Sequence, residues 1–326
     1  MGTAFFGVSN QNNVSFSAPT QSFAWVFNAG ASNYTFSNTG MLAFTGPGII
    51  SLGGSATITN TGVLAFFGTA GDATIINNGQ LFFAGSNTAG GAKDASGATI
   101  TNTGNIDLSS LGNNGLPGLP TTTSMTAGSI AGGGTISLGS KNLTVGALSL
   151  STEISGVIQD GGLSGGTGGS LTKVGGATLT LSGVNTYTGS TTVNAGQLIV
   201  NGSIASSTLT TVNFGARLSG SGTVGSTLIT PGGTFAPGSG APGSSMTVAG
   251  NLAFQSGAFY LVQVNPATAS TTNASGTATL AGTVVAAFAP GNYLTPHIPF
   301  FPRLAGSPAL STASAPQDCR PDSRRP

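Results

Sequence analysis

Residues 171–204 read LTKVGGATLTLSGVNTYTGSTTVNAGQLIVNGSI. Thr178, Leu179, Thr180 and Leu181 alternate polar and apolar, which gives a strand with one dry face and one wet face. Gly175-Gly176, Gly183, Gly189, Gly196 and Gly202 fall at turn spacing. Three short alternating strands therefore sit between Gly/Asn turns, and almost no side chain in the stretch can do acid–base or nucleophilic chemistry. A chain patterned this way must coil, each strand stacking on the next.

The same pattern begins earlier. Ser55 to Gly62 reads SATITNTG, Asp72 to Gly79 reads DATIINNG, and Gly97 to Gly104 reads GATITNTG, each followed by a short apolar strand. Phe36 to Gly40 with Met41 to Phe44 is a degenerate copy. The terminal glycines stand at 40, 62, 79 and 104, and periods near 20–25 residues with strand–turn–strand content indicate one solenoid coil per repeat. At roughly 20 residues per coil, residues 1–296 predict about 15 coils, some 4.8 Å apart. Stacking places like over like. Phe44, Phe66, Phe67, Phe82 and Phe83 are expected in an internal aromatic ladder, and Asn60, Asn78 and Asn102 in an Asn row. Thr57, Thr59, Thr74, Thr99 and Thr101 are expected on an outer face. Strand signals continue from residue 205 to 290, and the longer Phe259 to Val264 reads as a strand that caps a rod.

Composition narrows the function. Of 326 residues, 8 are Lys or Arg and 7 are Asp or Glu, for a net charge of +1. An ordinary soluble domain is about a quarter charged, so Ser, Thr, Asn and Gly must supply the polar surface here. The near-zero net charge argues against nucleic acid and an anionic membrane surface, both of which call for clustered Lys and Arg. Mean hydropathy is positive (+0.25), yet no apolar run reaches the roughly 18 residues of a spanning helix. The 54 glycines follow no collagen period, and only residues 162–169 (GLSGGTGG) read as a flexible loop. The single cysteine, Cys319, has no internal disulfide partner.

Four blocks carry a family resemblance: L-T-K-x-G at Leu171 to Gly175, T-L-T-L-S-G at Thr178 to Gly183, N-T-Y-T-G at Asn185 to Gly189, and T-T-V-N-A-G-x-L at Thr191 to Leu198. Together they resemble the autotransporter-associated β-strand repeat of bacterial type V autotransporter passengers. Ala177 stands where that family often has Gly. The resemblance implies an all-β fold, a right-handed parallel β-helix (β-solenoid), with no translocator barrel present in this chain. It implies a non-catalytic, surface-displayed stalk for adhesion or aggregation at the cell surface, anchored at the bacterial outer membrane. The implied partners are an outer-membrane translocator barrel and ligands on host or neighbouring cells, with no nucleic acid. Cysteine poverty fits export of such a chain unfolded.

Three regions are expected: residues 1–150 with ATITNTG-like coils, 151–296 with the autotransporter-like repeat, and 297–326 as an aberrant, disordered tail. The tail holds Arg303, Arg320, Arg324, Arg325, the only His (His297) and Cys319, and so reads as a frameshifted or misjoined end. Met1-Gly-Thr-Ala-Phe lacks the basic and apolar regions of a signal peptide, which suggests a fragment or a late start codon.

Chemistry-bearing motifs are few, and the expectation is no catalytic, cofactor-binding or metal site and no cofactor. Gly220 to Gly225 (GSGTVG) matches G-x-G-x-x-G, but a dinucleotide site needs a helix to follow and another strand follows instead. Ser170 to Lys173 matches S-x-x-K without the S-D-N and K-T-G elements of acyl-transfer enzymes, so Lys173 is expected on a wet face. The alternative function is a β-helix polysaccharide hydrolase or lyase, for which two of Asp72, Asp94, Asp107, Glu153 and Asp160 would have to meet about 5–9 Å apart in a groove. One His and one Cys exclude a zinc tetrad. A flat Thr-x-Thr ladder of the ice-binding kind is interrupted by Asp72 to Ile76.

Overall fold

A computed structural model describes residues 2–84, 93–111 and 123–293. The Gly/Pro stretch at 112–120 (GNNGLPGLP), whose prolines do not suit a central strand, and the tail at 297–326 lie outside the described residues. The described residues form strands and turns with no helix. Four parallel sheets make one solenoid. A 13-stranded sheet runs from Asn13–Phe16 to Ala278–Leu280, and an 8-stranded sheet from Thr3–Phe6 to Val157–Gln159. A 7-stranded sheet begins at Thr152–Ile154 and ends at Thr283–Phe288, and a 4-stranded sheet runs from Ser203–Ile204 to Thr271–Ala274. The cross-section thus changes along the rod. Each early rung contributes two strands; the new face inserted from Thr152 gives later rungs three.

Strand parity builds the core. In Ala56–Asn60 the side chains of Ala56, Ile58 and Asn60 point inward while Thr57 and Thr59 stay half-exposed. Parallel register then superposes Val14, Phe36, Ile58, Ile75, Ile100 and Ile130. Burying each such side chain contributes about 1.5–3 kcal/mol, so an apolar column forms without long-range design. The outer Thr face is as expected for Thr57, Thr74 and Thr99, which lie in one row. Thr59, Ile76 and Thr101 form the second row, and Ile76 interrupts it.

Several details correct the sequence reading. The 13 strands of the long sheet replace the expected ~15 coils, because rungs vary: successive Asn positions lie 22, 17 and 25 residues apart. The aromatic ladder contains only Phe44, Phe66 and Phe83, with centroids 4.9 and 5.5 Å apart and near-parallel rings. Phe67 and Phe82 follow or precede an inward residue, so parity turns them outward. Below this ladder, Phe6, Phe16, Trp25, Phe27, Tyr34 and Phe36 pack into an aromatic cluster that sequence reading did not foresee. Phe259–Val264 does not terminate its sheet. It pairs on both sides, and its length matches the full six-residue register with Thr283–Phe288.

The Asn row consists of Asn38, Asn60, Asn77 and Asn102. Asn77, not Asn78, is the member from its rung. Asn77 shares the inward parity of Ile75, whereas Asn78 points out and accepts from the Thr103 hydroxyl at 2.6 Å. The Nδ2 groups of Asn38, Asn60 and Asn77 each donate to the Oδ1 of the next Asn at 2.7–2.8 Å. Those of all four also donate to a carbonyl just past the following turn, of Val63, Gln80, Asn105 and Thr135 in turn. The row starts at Asn38, whose Oδ1 has no donor because Phe16 occupies the rung beneath.

The turn after each Asn carries a second column. A Cβ on Gly62, Gly79, Gly104, Gly134, Gly156, Gly183, Gly202 or Gly222 would lie 1.8–2.2 Å from the carbonyl oxygen of the glycine one rung earlier. None of these eight has positive φ. Close backbone approach, not conformational freedom, requires glycine here.

Lys173 is a further correction. It is buried, not wet: Leu171 and Lys173 share the inward parity of their strand. Its ammonium donates to the carbonyls of Val174 (2.7 Å), Gly175 (2.8 Å) and Ala195 (3.2 Å), joining one corner to the next rung. Burial lowers its pKa below the ordinary lysine value. The adjoining N-T-Y-T-G block is also inward. Asn185 accepts from Ile158 N and donates to Ser203 O, bridging three rungs. The hydroxyls of Tyr187, Thr191 and Ser207 form a buried chain with links of 2.7 and 2.9 Å.

Two paired substitutions test this architecture by urea unfolding. Asn77→Ala leaves buried amide and carbonyl groups unmatched and is expected to cost about 2–4 kcal/mol, while Asn78→Ala stays within about 0.5 kcal/mol. Gly183→Ala is expected to cost about 3 kcal/mol or more through forced separation of rungs, while Gly176→Ala, which meets nothing within 4 Å, is expected to be near neutral.

Candidate functional site

The carboxylates that hydrolysis would call on each hold a structural post. The Ser51 hydroxyl donates to Asp72 across one rung. Glu153 accepts from the Ser182 hydroxyl at 2.5 Å on the exposed face of the 7-stranded sheet. Asp107 is buried and accepts from Ser109 N (2.8 Å), the Ser109 hydroxyl (2.6 Å) and Leu163 N (2.6 Å). Asp160 accepts from Gly168 N (3.1 Å), Gly169 N (2.9 Å) and the Thr188 hydroxyl (2.6 Å). Asp107 and Asp160 thus hold the two ends of residues 162–169, which correct the expected flexible loop into a pinned one. Its glycines are needed in part for room: a Cβ on Gly162 or Gly169 would lie 2.7–2.8 Å from a carboxylate oxygen. The side chain of Asp94 lies outside the described residues.

The motif matches resolve as turns and strands. After Gly220 to Gly225 comes the strand Thr227–Ile229, with no helix to receive a phosphate. In S-x-x-K, Asn142 Nδ2 donates to the Ser170 hydroxyl at 2.9 Å, whereas Lys173 Nζ serves backbone carbonyls. Burial raises the Tyr187 pKa and pushes that of Tyr260 up to about 12, and both hydroxyls are bonded to buried Thr side chains. These tyrosines remain protonated partners in buried hydroxyl pairs. Among the described residues, no group of three His, Cys, Asp or Glu is placed to hold a metal ion.

One concave feature was not anticipated. On the outer face of the 7-stranded sheet, Gln197–Val200 and Arg217–Gly220 lie side by side. Leu198, Val200 and Leu218 point into the core, so Gln197, Ile199 and Arg217 point out. After Thr234–Pro237 the chain leaves this sheet and enters the 4-stranded sheet at Ser245–Val248. The excursion folds back over this face through an antiparallel bridge between Gly220 and Gly238, with N–H···O distances of 3.2 and 2.8 Å. Ser244 braces it, accepting from Ser239 N at 3.1 Å and donating to Ala241 O at 2.5 Å. The result is a groove of about 180 Å³ lined by Gln197, Ile199, Asn201, Arg217, Ser219 and residues 238–240. Gln197 Nε2 donates to the Ser219 hydroxyl at 2.7 Å along its floor. Arg217 Nε is sealed from solvent with no acceptor, and no described carboxylate pairs with the guanidinium. The available sequence signal was the isolation of Arg217, the only arginine before Arg303.

A family model described as the passenger-associated-transport-repeat matches residues 171–200, the stretch whose inward Lys173, Asn185 and Tyr187 tie successive rungs. An extracellular serine protease of Serratia marcescens is 41% identical over 96 residues, which is 29% of this chain and 9% of that protein. The matched part therefore spans less than a tenth of that relative. Residues 171–200 thus carry a passenger-associated-transport-repeat seated inside a parallel β-solenoid.

Proposed function

We propose that the chain is a non-catalytic, surface-displayed stalk that serves adhesion or aggregation, held at the outer membrane by a translocator barrel. The family implies a secreted protein anchored at that membrane, and a rigid stack of parallel rungs suits extension away from it. The observation that carries the non-catalytic reading is the use of the described carboxylates: Asp107 and Asp160 each accept from backbone N–H groups of a turn they hold in place. Oxygens so committed to the fold are not free to face a substrate. The relative's name favours a second reading, a protease or another hydrolase, in which this solenoid supports a catalytic unit elsewhere in a longer protein.

Attachment separates the two readings, and cleavage by the chain itself tests its non-catalytic character. Cells displaying the chain ahead of a translocator barrel are expected to attach to surfaces or to one another severalfold more than cells with the barrel alone. The purified chain is expected to leave protein and polysaccharide substrates intact. Cleavage that disappears in an Asp or Glu variant with unchanged melting would overturn the proposal. Asp160→Ala is expected instead to speed amide exchange at residues 161–169 and to leave attachment unchanged, as hydrogen exchange and the same attachment assay would report.

A further inference from the structure

We propose that the groove under the 238–244 excursion binds a carboxylate-bearing sugar residue, with Arg217 as the carboxylate anchor. This deepens the adhesive reading and rests on it for its biological setting. Three observations carry it. First, Arg217 is a guanidinium without a counter-ion in a wall of neutral side chains, and its Nε has no acceptor. That Nε is sealed from any ligand, which leaves the terminal nitrogens of the guanidinium to meet one in the groove. A planar guanidinium takes a carboxylate through two parallel hydrogen bonds.

Second, the groove has the size and chemistry of a saccharide site. Its volume, about 180 Å³, suits one pyranose ring. Gln197, Asn201, Ser219 and Ser239 offer amide and hydroxyl groups to sugar hydroxyls, and Ile199 offers an apolar patch to a ring face. Third, the surroundings disfavour an extended acidic peptide. Both strands beneath the groove are already paired on each side, Gln197–Val200 with Thr178–Leu181 and Arg217–Gly220, and Arg217–Gly220 in turn with Thr234–Pro237. No free edge remains for an added strand. The antiparallel clasp of the 238–244 excursion to Gly220 closes one side of the groove.

The test uses the purified full chain and trigalacturonate, with its fully methyl-esterified form and a tri-glutamate peptide as comparisons, read by calorimetry. Wild type is expected to bind trigalacturonate, with the ester weaker by about tenfold or more. Arg217→Gln and the groove-filling Ser239→Trp are each expected to lose about tenfold in affinity at unchanged melting temperature. Ser239 is exposed, so that variant decides the matter if Arg217→Gln does not fold. No binding by wild type, equal binding of the ester, or variants that match wild type would overturn the proposal. Tighter binding of the tri-glutamate peptide would overturn the sugar assignment. Attachment of displaying cells is measured in parallel. Attachment without uronate binding removes the groove and leaves the adhesive reading, and uronate binding without attachment does the reverse.

Discussion

The parallel stacking of rungs is the constraint from which the rest follows. Backbone N–H groups of one rung are answered by carbonyls of its neighbour, so each rung is about 4.8 Å from the next. Anything placed inside must then satisfy itself vertically. Apolar side chains do so by contact, as in the Phe44, Phe66 and Phe83 stack. Polar side chains do so by bonding to the rung above or below, as Asn60, Lys173 and Asn185 do. A buried donor or acceptor left unmatched costs about 1–3 kcal/mol, so these interior polar groups lock register as well as occupy space. Asn38 shows the limit, since the row has to begin somewhere and its Oδ1 lacks a donor.

Much of this fold was legible because period and parity are written in the chain. The Ala56 to Gly62 and Ala98 to Gly104 segments gave rung length, inward Ile and outward Thr together. What failed was single-residue phase. Asn77 and Asn78 are adjacent, as are Phe66 and Phe67 and Phe82 and Phe83, and composition cannot say which of two like neighbours points inward. Lys173 was misplaced for a different reason. Charge argues for solvent, but corner carbonyls in the turn and on the next rung supply three acceptors that no linear reading reveals.

The groove was illegible for a related reason. Its parts come from three rungs, and its wall is a Gly/Pro/Ser excursion whose path depends on a backbone bridge to Gly220. Nothing in residues 238–244 announces a wall. The low charge of the chain gives Arg217 its meaning: on a surface of hydroxyls and amides, one uncompensated guanidinium dominates its neighbourhood. The carboxylates do the opposite, since Asp107 and Asp160 turn inward upon the backbone and present little charge to a visitor.

The glycine column from Gly62 to Gly222 runs along one corner as a line without side chains. Along that line successive backbones touch directly, so no side chain can be added there. Change is therefore channelled to the other corners, where the length of a rung is free to differ and where the 238–244 flap arose. A smooth spine paired with permissive corners lets a rod of this kind alter what it touches while its backbone packing stays the same.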